Sequence, residues 1–495
     1  MMTAQLTQAA RQFRRLVCLG LAHLLLAAAP GGGGVVISPG GRTFTYRGEA
    51  RLLVGESATQ SVLQNANLDL LVWLDELERR GVRAALVWLF MPARQVPSQG
   101  QFDPRYGYAI PVLMPWPRDR AEPARDGGPQ YDLTRFDPAF WGRVRELCAE
   151  TQRRGIVLAI SLLDGWSKDF TYHPLNQANG GIWPDQKDGR DAIARLSDPG
   201  RDVVEESWDP DWPPAKRNQW VWERLTAKAL EATAPYDNVL YELYNEGSPG
   251  AEWAQHFRRF IAARSDKPLG HDRDPAFDFI THHVALDRPA AVLQIGERFA
   301  APPAPARPLV ITETMPAYQR GAKLEAIRQV IYGALLSGQH VFVQNDGVFR
   351  FDPRAPAGDR GGAVRDLIAQ ADRFIHRSGA APGALRPAPE SVGAGAVLVL
   401  ADAELPRLAY SWSGAEFTLD LGPERGWELR WLDVRSGSWR DPEIVRAAGP
   451  YRFVKPDARD WALALRPLPW RRPRIDVGEG LVPSRKTSRT DWVTR

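Results

Sequence analysis

The sequence predicts an α/β protein: a (β/α)8 TIM barrel followed by a small antiparallel β-sandwich domain. Three observations predict it. Short, continuously apolar strand segments alternate with amphipathic helical segments up to about residue 379, the mark of a parallel sheet covered on both faces. The hydrophobic period then changes to two. A doubly wound sheet, the rival architecture, would call for a glycine-rich phosphate turn after the first strand, where VGESATQS stands instead.

Residues 1–34 read as a signal peptide and leader. Arg11, Arg14 and Arg15 precede the apolar run LVCLGLAHLLLAAA, and small residues follow at Ala27 to Ala29. The run is too short to span a bilayer comfortably, so no stable membrane span is expected. The chain is therefore expected to be secreted or periplasmic, and membrane-tethered if the signal stays uncleaved. Cys18 lies in this segment, which leaves Cys148 as the one cysteine of a mature chain and excludes an internal disulfide or a cysteine metal cluster. Stability must then come from core size, which 495 residues at 44% hydrophobic composition supply.

The barrel is read over 35–379. LDELERRGVRAALVWLF and LCAETQRRGIVLAISLLDG each run from an amphipathic segment through Arg-Arg-Gly into a short apolar strand. In the first helix Leu70, Trp73, Leu74 and Leu77 follow the i, i+3, i+4, i+7 pattern, and Gly81 stands where a left-handed C-cap belongs. The second opens with Asp137 as N-cap and Pro138 at the first helical position, and buries Phe140, Val144, Leu147 and Cys148. The strand segments are RLLVGES, RAALVWLF, IVLAISLLDG, NVLYELYNE, the weaker KPLGHD, FDFITHHV, PLVITET and HVFVQND. Eight such units fit a closed barrel. Two long connections, from Pro92 to Leu133 and from Asp164 to about Asn218, carry ordered-looking composition and are expected to wall a cleft.

Residues 380–395 are a linker by composition. The segments EFTLDL, WELRWLD and DWALALR then alternate apolar and polar residues, which gives the β-sandwich over 396–469. Residues 470–495 are polar, basic and aperiodic, and are expected to be disordered. With 63 basic against 59 acidic residues and no basic run interleaved with aromatics, nucleic acid is excluded as an expected partner.

In a barrel, side chains at the carboxyl ends of the strands face the catalytic mouth. Asn245, Glu246, Glu56, Asp164, Glu313 and Asp346 hold such positions, and Asn345, beside Asp346, is a further candidate for substrate binding. Glu246 and Glu313 end the fourth and seventh strands, and two carboxyl groups facing across the mouth suit glycosidic bond cleavage: one protonates the leaving oxygen while the other attacks the sugar carbon. Asn245 could hydrogen-bond a hydroxyl next to the reacting carbon. Glu56 and Asp164 either bind sugar or cap a nearby helix. Trp166 and Trp183 either stack on a sugar ring or pin the long loops. His282 and His283 are adjacent, so on a strand they point to opposite faces and only one can enter the site. With eight His and no HExxH or His-x-His arrangement, neither a metal nor another cofactor is expected.

NVLYELYNE resembles the strand-four signature of clan A glycoside hydrolases, the cellulase-like (family 5-like) barrels, in which Asn-Glu closes the strand and the Glu is the acid/base. By the same resemblance Glu313 in PLVITET matches the nucleophile of strand seven. FDPAFWGRVRELCAETQRRGIVLAISLLDGW is similar to the helix-two and strand-three region of this group. The resemblance implies a retaining O-glycosyl hydrolase acting on a poly- or oligosaccharide through Glu246 and Glu313. It departs from the family pattern after Glu313, where Thr314, Met315 and Pro316 follow, and at the eighth strand, which ends in Gln344, Asn345 and Asp346 in place of a Trp. The C-terminal stretch, at WLDVRSG and DWALAL, resembles the domain named for collagen binding that follows such barrels in some bacterial hydrolases. Two alternatives stand beside this reading: a carbohydrate-binding or adhesion protein that keeps the barrel without turnover, and a metal-dependent barrel hydrolase.

Overall fold

The computed structural model describes residues 33–58, 62–65, 68–90, 113–165, 170–185, 189, 194–245, 249–284, 306–314, 324–345, 360–403 and 405–468, with the backbone of two short strands within 102–109. A three-stranded antiparallel sheet, β1 (Val36–Ile37), β2 (Phe44–Tyr46) and β3 (Glu49–Arg51), precedes the barrel. The barrel itself starts with β4 (Val54–Ala58), α1 (Leu70–Arg80) and β5 (Ala84–Trp88). The long connection that follows holds two hairpins, β6 (Phe102–Asp103) with β7 (Tyr108–Ala109), and β8 (Arg118–Pro123) with β9 (Pro129–Tyr131). Then come α2 (Pro138–Arg153), β10 (Val157–Asp164), α3 (Pro214–Thr233), β11 (Val239–Asn245), α4 (Ala251–Ala262), β12 (Leu269–Asp272), β13 (Phe279–His283), β14 (Leu309–Glu313), α5 (Leu324–Leu336), β15 (His340–Gln344) and α6 (Arg360–Arg377).

The eight parallel strands close in the order β10, β11, β12, β13, β14, β15, β4, β5. All eight segments expected from the sequence are barrel strands, which makes the molecule a TIM barrel. The helices form for the reasons their sequences give. Asp69 Oδ1 accepts the amides of Leu71 and Val72 at the start of α1, and Gly81 ends it at φ 85°. Asp137 caps α2 in the same way, and Pro138 stands at its first turn. Cys148 is fully buried on α2, where burial pushes its thiol up to about 12, so it is an inert packing group.

The side chains divide into two layers. Leu53, Ala84, Leu86, Trp88, Val157, Ala159, Leu240, Phe279, Val310 and Phe342 fill the barrel with Val35, Phe44 and Tyr46 from the preceding sheet, so that sheet closes the amino-terminal end. The alternate strand residues pack outward against the helices. Among the described connections, the one from β12 to β13 departs from the βα grammar: residues 273–278 join the strands with no helix between. Leu269 N donates to Asp278 Oδ2, and Arg273 takes φ 51° to turn the chain.

Beyond α6, antiparallel strands form two sheets, one containing β18 (Val397–Asp402), β19 (Leu405–Ser411), β21 (Arg425–Asp433), β22 (Ser438–Trp439), β23 (Glu443–Ala447) and β25 (Trp461–Pro467), the other containing β17 (Val392–Ala394), β20 (Glu416–Asp420) and β24 (Pro450–Val454). Their facing sides share a core around Phe417, Trp427, Leu429, Phe453 and Leu463. Residues 380–395, rich enough in Ala, Pro and Gly to read as a linker, contribute β16 (Arg386–Pro387) and β17 to these sheets. The barrel and the β-domain are joined by buried chemistry: Arg328 of α5 donates to both oxygens of Asp460 at 2.7 and 3.0 Å, and Tyr410 donates to the same carboxylate at 3.2 Å. Tyr332 stacks on Tyr410, and Phe374 on Trp439.

Candidate active site

The mouth of the barrel lies at the carboxyl ends of the strands, and Glu313 closes β14 there. Its residue is 5% exposed. His283, the last residue of β13, brings Nδ1 to 3.7 Å from a Glu313 carboxylate oxygen. Burial, with His282 and Arg273 nearby, pushes the His283 imidazole down to about 4, so at neutral pH an uncharged ring faces the carboxylate. A bulge in the β13–β14 pairing between His282 and His283 turns the second histidine toward Glu313. His282 points the other way, with Nε2 2.9 Å from Gln339 Oε1, and is buried away from the mouth. The alternation expected for the pair is therefore what separates their roles.

At the end of β11, Asn245 Nδ2 donates to Asp164 Oδ1 of β10 at 3.2 Å, and both residues are buried. The parallel register places them directly opposite each other. Glu246, the residue after β11, lies outside the described residues, as do Trp166 and Asp346.

Glu56 is not open to a ligand. It is fully buried, with one carboxylate oxygen accepting from Arg365 Nε at 2.7 Å and Asn345 Nδ2 at 2.9 Å, and the other from Trp73 Nε1 at 3.0 Å. Arg365 stands on α6 and Trp73 on α1, so the carboxylate faces the helical layer and joins the first and last helices of the barrel. The expectation of Glu56 as a sugar-binding group is corrected on this point: a strand-end position was mistaken for a mouth-facing side chain. Asn345 goes with it, since its amide is given to Glu56 and the Gly361 carbonyl. The signal that could have found this cluster is the Arg in RGGAVRDLIAQ, whose neighbours one helical turn away, Gly361, Gly362, Ile368 and Ala369, are all apolar, because an arginine on a buried helix face requires an acid.

Trp183 is a loop anchor. Its Nε1 donates to Asn218 Oδ1 at 3.0 Å, and Arg195 covers one ring face at 5.3 Å. Sequence reasoning missed the device behind it, a row of polar side chains on α3 that grips the long wall loop by its backbone. Gln219 Oε1 accepts the amides of Ser197 and Asp198, Glu223 Oε2 those of Val203 and Val204, and Asn218 Nδ2 donates to the Arg195 carbonyl.

Asp202, Glu223 and His256 lie within 4.8 Å of one another, the one group among the described residues with donors close enough for a metal ion. Its chemistry does not suit one. His256 Nδ1 accepts from the Gly200 amide, so the ring proton is on Nε2, which donates to Glu223 Oε1 at 2.8 Å. No imidazole lone pair is left to ligate a metal ion.

No protein-family model matches the chain, and no curated protein sequence matches it. The fold has counterparts among solved structures. One described as a glycoside hydrolase superposes with a TM-score of 0.56 at 11% identity, over 88% of this chain and 96% of that one. A glycoside hydrolase family 5 structure from Bacteroides vulgatus gives a TM-score of 0.56 at 10% identity, over 88% of this chain and 93% of its own. The match extends over almost the whole of both neighbours, so barrel and β-domain are shared together. At this identity the likeness establishes the fold; chemistry has to be argued from the residues.

Proposed function

We propose that the protein is a retaining glycoside hydrolase, with Glu313 as nucleophile and Glu246 as general acid/base, acting on a poly- or oligosaccharide outside the cytoplasm. The observation that carries this reading is Glu313, a nearly buried carboxyl group at the mouth end of the seventh barrel strand with an uncharged histidine 3.7 Å away. A neutral imidazole adds no counter-charge to the carboxyl group that is to attack, where an imidazolium would form an ion pair with it. The buried Asn245–Asp164 pair fixes the end of the strand from which Glu246 follows, three strands round the barrel.

In the reaction, Glu246 protonates the glycosidic oxygen while Glu313 attacks the sugar carbon, forming a glycosyl ester. Water, activated by the same Glu246, then releases the sugar with net retention. No metal or organic cofactor enters this scheme. Support for export comes from the amino-terminal charge and apolar pattern alone; among the described residues no helix is long and apolar enough to cross a membrane. The anchored wall loop at 195–204 favours a pocket or short cleft, hence a terminal sugar or short oligosaccharide as substrate.

The test is a screen of aryl glycosides and polysaccharides with the parent and Glu313→Gln side by side. Hydrolysis by the parent with retained anomeric configuration, abolished in the variant, is the expected result. A parent inactive on the whole panel, or a variant as active as the parent, contradicts the proposal.

A further inference from the structure

Under the mouth, the barrel interior holds one acid that the proposed chemistry does not use. Glu242 lies on β11, three residues before Asn245, and is 1% exposed. Its Oε1 accepts a 2.7 Å hydrogen bond from the hydroxyl of Thr312, the residue immediately before Glu313 on β14. β11 and β14 are not neighbours, because β12 and β13 stand between them in the barrel order. The bond therefore crosses the barrel lumen and ties the two strands whose ends carry the proposed acid/base and nucleophile. Gly270 on β12, paired with Glu242, sends no side chain into this layer; the place a β-carbon would take is filled by the ring of Phe279.

We propose that Glu242 is a positioning residue, a cross-barrel tie through Thr312 that sets the separation of the ends of β11 and β14, after which Glu246 follows and on which Glu313 stands. The proposal rests on the reading of those two residues as the catalytic pair. Around Glu242 burial and a like charge favour the neutral acid, while the neighbouring hydroxyls favour the carboxylate. β10 and β13 present the hydroxyls of Ser161 and Thr281, β14 that of Thr312, and the charged neighbour acting on it, Asp272 of β12, has the same sign. Further toward the mouth, β13 and β14 end in the His283–Glu313 pair. Burial outweighs the Thr312 hydrogen bond and the nearby hydroxyls of Ser161 and Thr281, and pushes the Glu242 carboxyl up to about 7. Above that pH a buried negative charge forms in the lumen, and the tie between β11 and β14 loses the neutral form that burial favours.

The experiment compares the parent with Glu242→Gln, Glu242→Ala and Thr312→Val, by melting temperature against pH and by kcat and KM on the best aryl glycoside across the same pH range. Glu242→Gln keeps the shape and an acceptor for Thr312 but cannot ionise. It is expected to retain kcat near pH 5, to lose the part of the alkaline fall in kcat that Glu242 contributes, and to gain about 5 °C in melting temperature relative to the parent between about pH 5 and 8. Glu242→Ala and Thr312→Val cut the tie and are expected to lower kcat about 10- to 100-fold with KM within about threefold. Hydrolysis by the parent with all three variants matching its kcat and pH profile overturns the inference while leaving the proposed function intact. A parent that hydrolyses nothing ends the functional reading. Melting curves of parent and Glu242→Gln that run parallel across the pH range overturn the buried-acid tie whether or not there is turnover.

Discussion

Arg365 and Glu56 form an ion pair at 2.7 Å in which neither side chain reaches solvent, and it fastens the last helix of the barrel to the first strand. Two charges removed from water in this way hold together only as a pair. Arg365→Ala leaves an unpaired buried carboxylate and is expected to cost about 3–5 kcal/mol, read as a lowered urea midpoint at unchanged slope. Leu or Met replacing both partners should be far milder, because neither charge is then stranded.

The second buried ion pair, Arg328 with Asp460, joins the barrel to the β-domain together with the Tyr332–Tyr410 and Phe374–Trp439 stacks. The two parts are therefore expected to unfold together, giving one calorimetric transition for the whole chain. Arg328→Ala should lower that transition by about 3 kcal/mol of stability or split it in two. Two transitions in the parent would show that the joint contributes little.

Acid should destabilise the protein. Burial pushes the imidazole of His173 down to about 3, and those of His271, His282, His283 and His340 down to about 4, against an ordinary value of 6.5. Unfolding between those limits takes up protons, so this contribution is complete above about pH 6.5 and is lost as the pH falls toward about 4. Glu242 acts in the opposite sense: its folded value of about 7 lies above the ordinary 4.5, so its contribution is complete below about 4.5 and is lost as the pH rises to about 7. Five imidazoles outweigh one carboxyl, and the melting temperature is expected to rise from pH 4.5 to about 6.5. A flat or falling curve would contradict the burial assigned to the histidines.

The wall loop should depend on Glu223. Replacing it by Ala removes the acceptor for the Val203 and Val204 amides and for His256 Nε2. Hydrogen exchange at residues 197–204 is expected to accelerate by about tenfold or more while that of the barrel strands stays slow. Exchange unchanged from the parent would mean that packing alone holds the loop.

The barrel was legible because each of its strands is buried on both faces, which writes a continuous apolar run, and because Asp69, Gly81, Asp137 and Pro138 mark helix ends by local chemistry. Local rules did not reach the missing helix between β12 and β13, where the four-residue β12 is a weak signal, nor the strands within 380–395, whose pairing is long-range. The same limit applied at the site. Alternation along a strand told His282 from His283, but the direction of Glu56 depends on Arg365, which is 309 residues away in sequence. The tie of Glu242 to Thr312 likewise depends on the curvature that closes the sheet, which no local pattern records.

The most direct measurement is to trap the glycosyl ester. The parent is incubated with a 2-deoxy-2-fluoro glycoside bearing a good leaving group, in the sugar series it hydrolyses, then digested and examined by mass spectrometry. The account predicts one fluorosugar on the peptide containing Glu313, and none after Glu313→Gln. Label on a different residue, or turnover with inversion and no trapped ester, would contradict it.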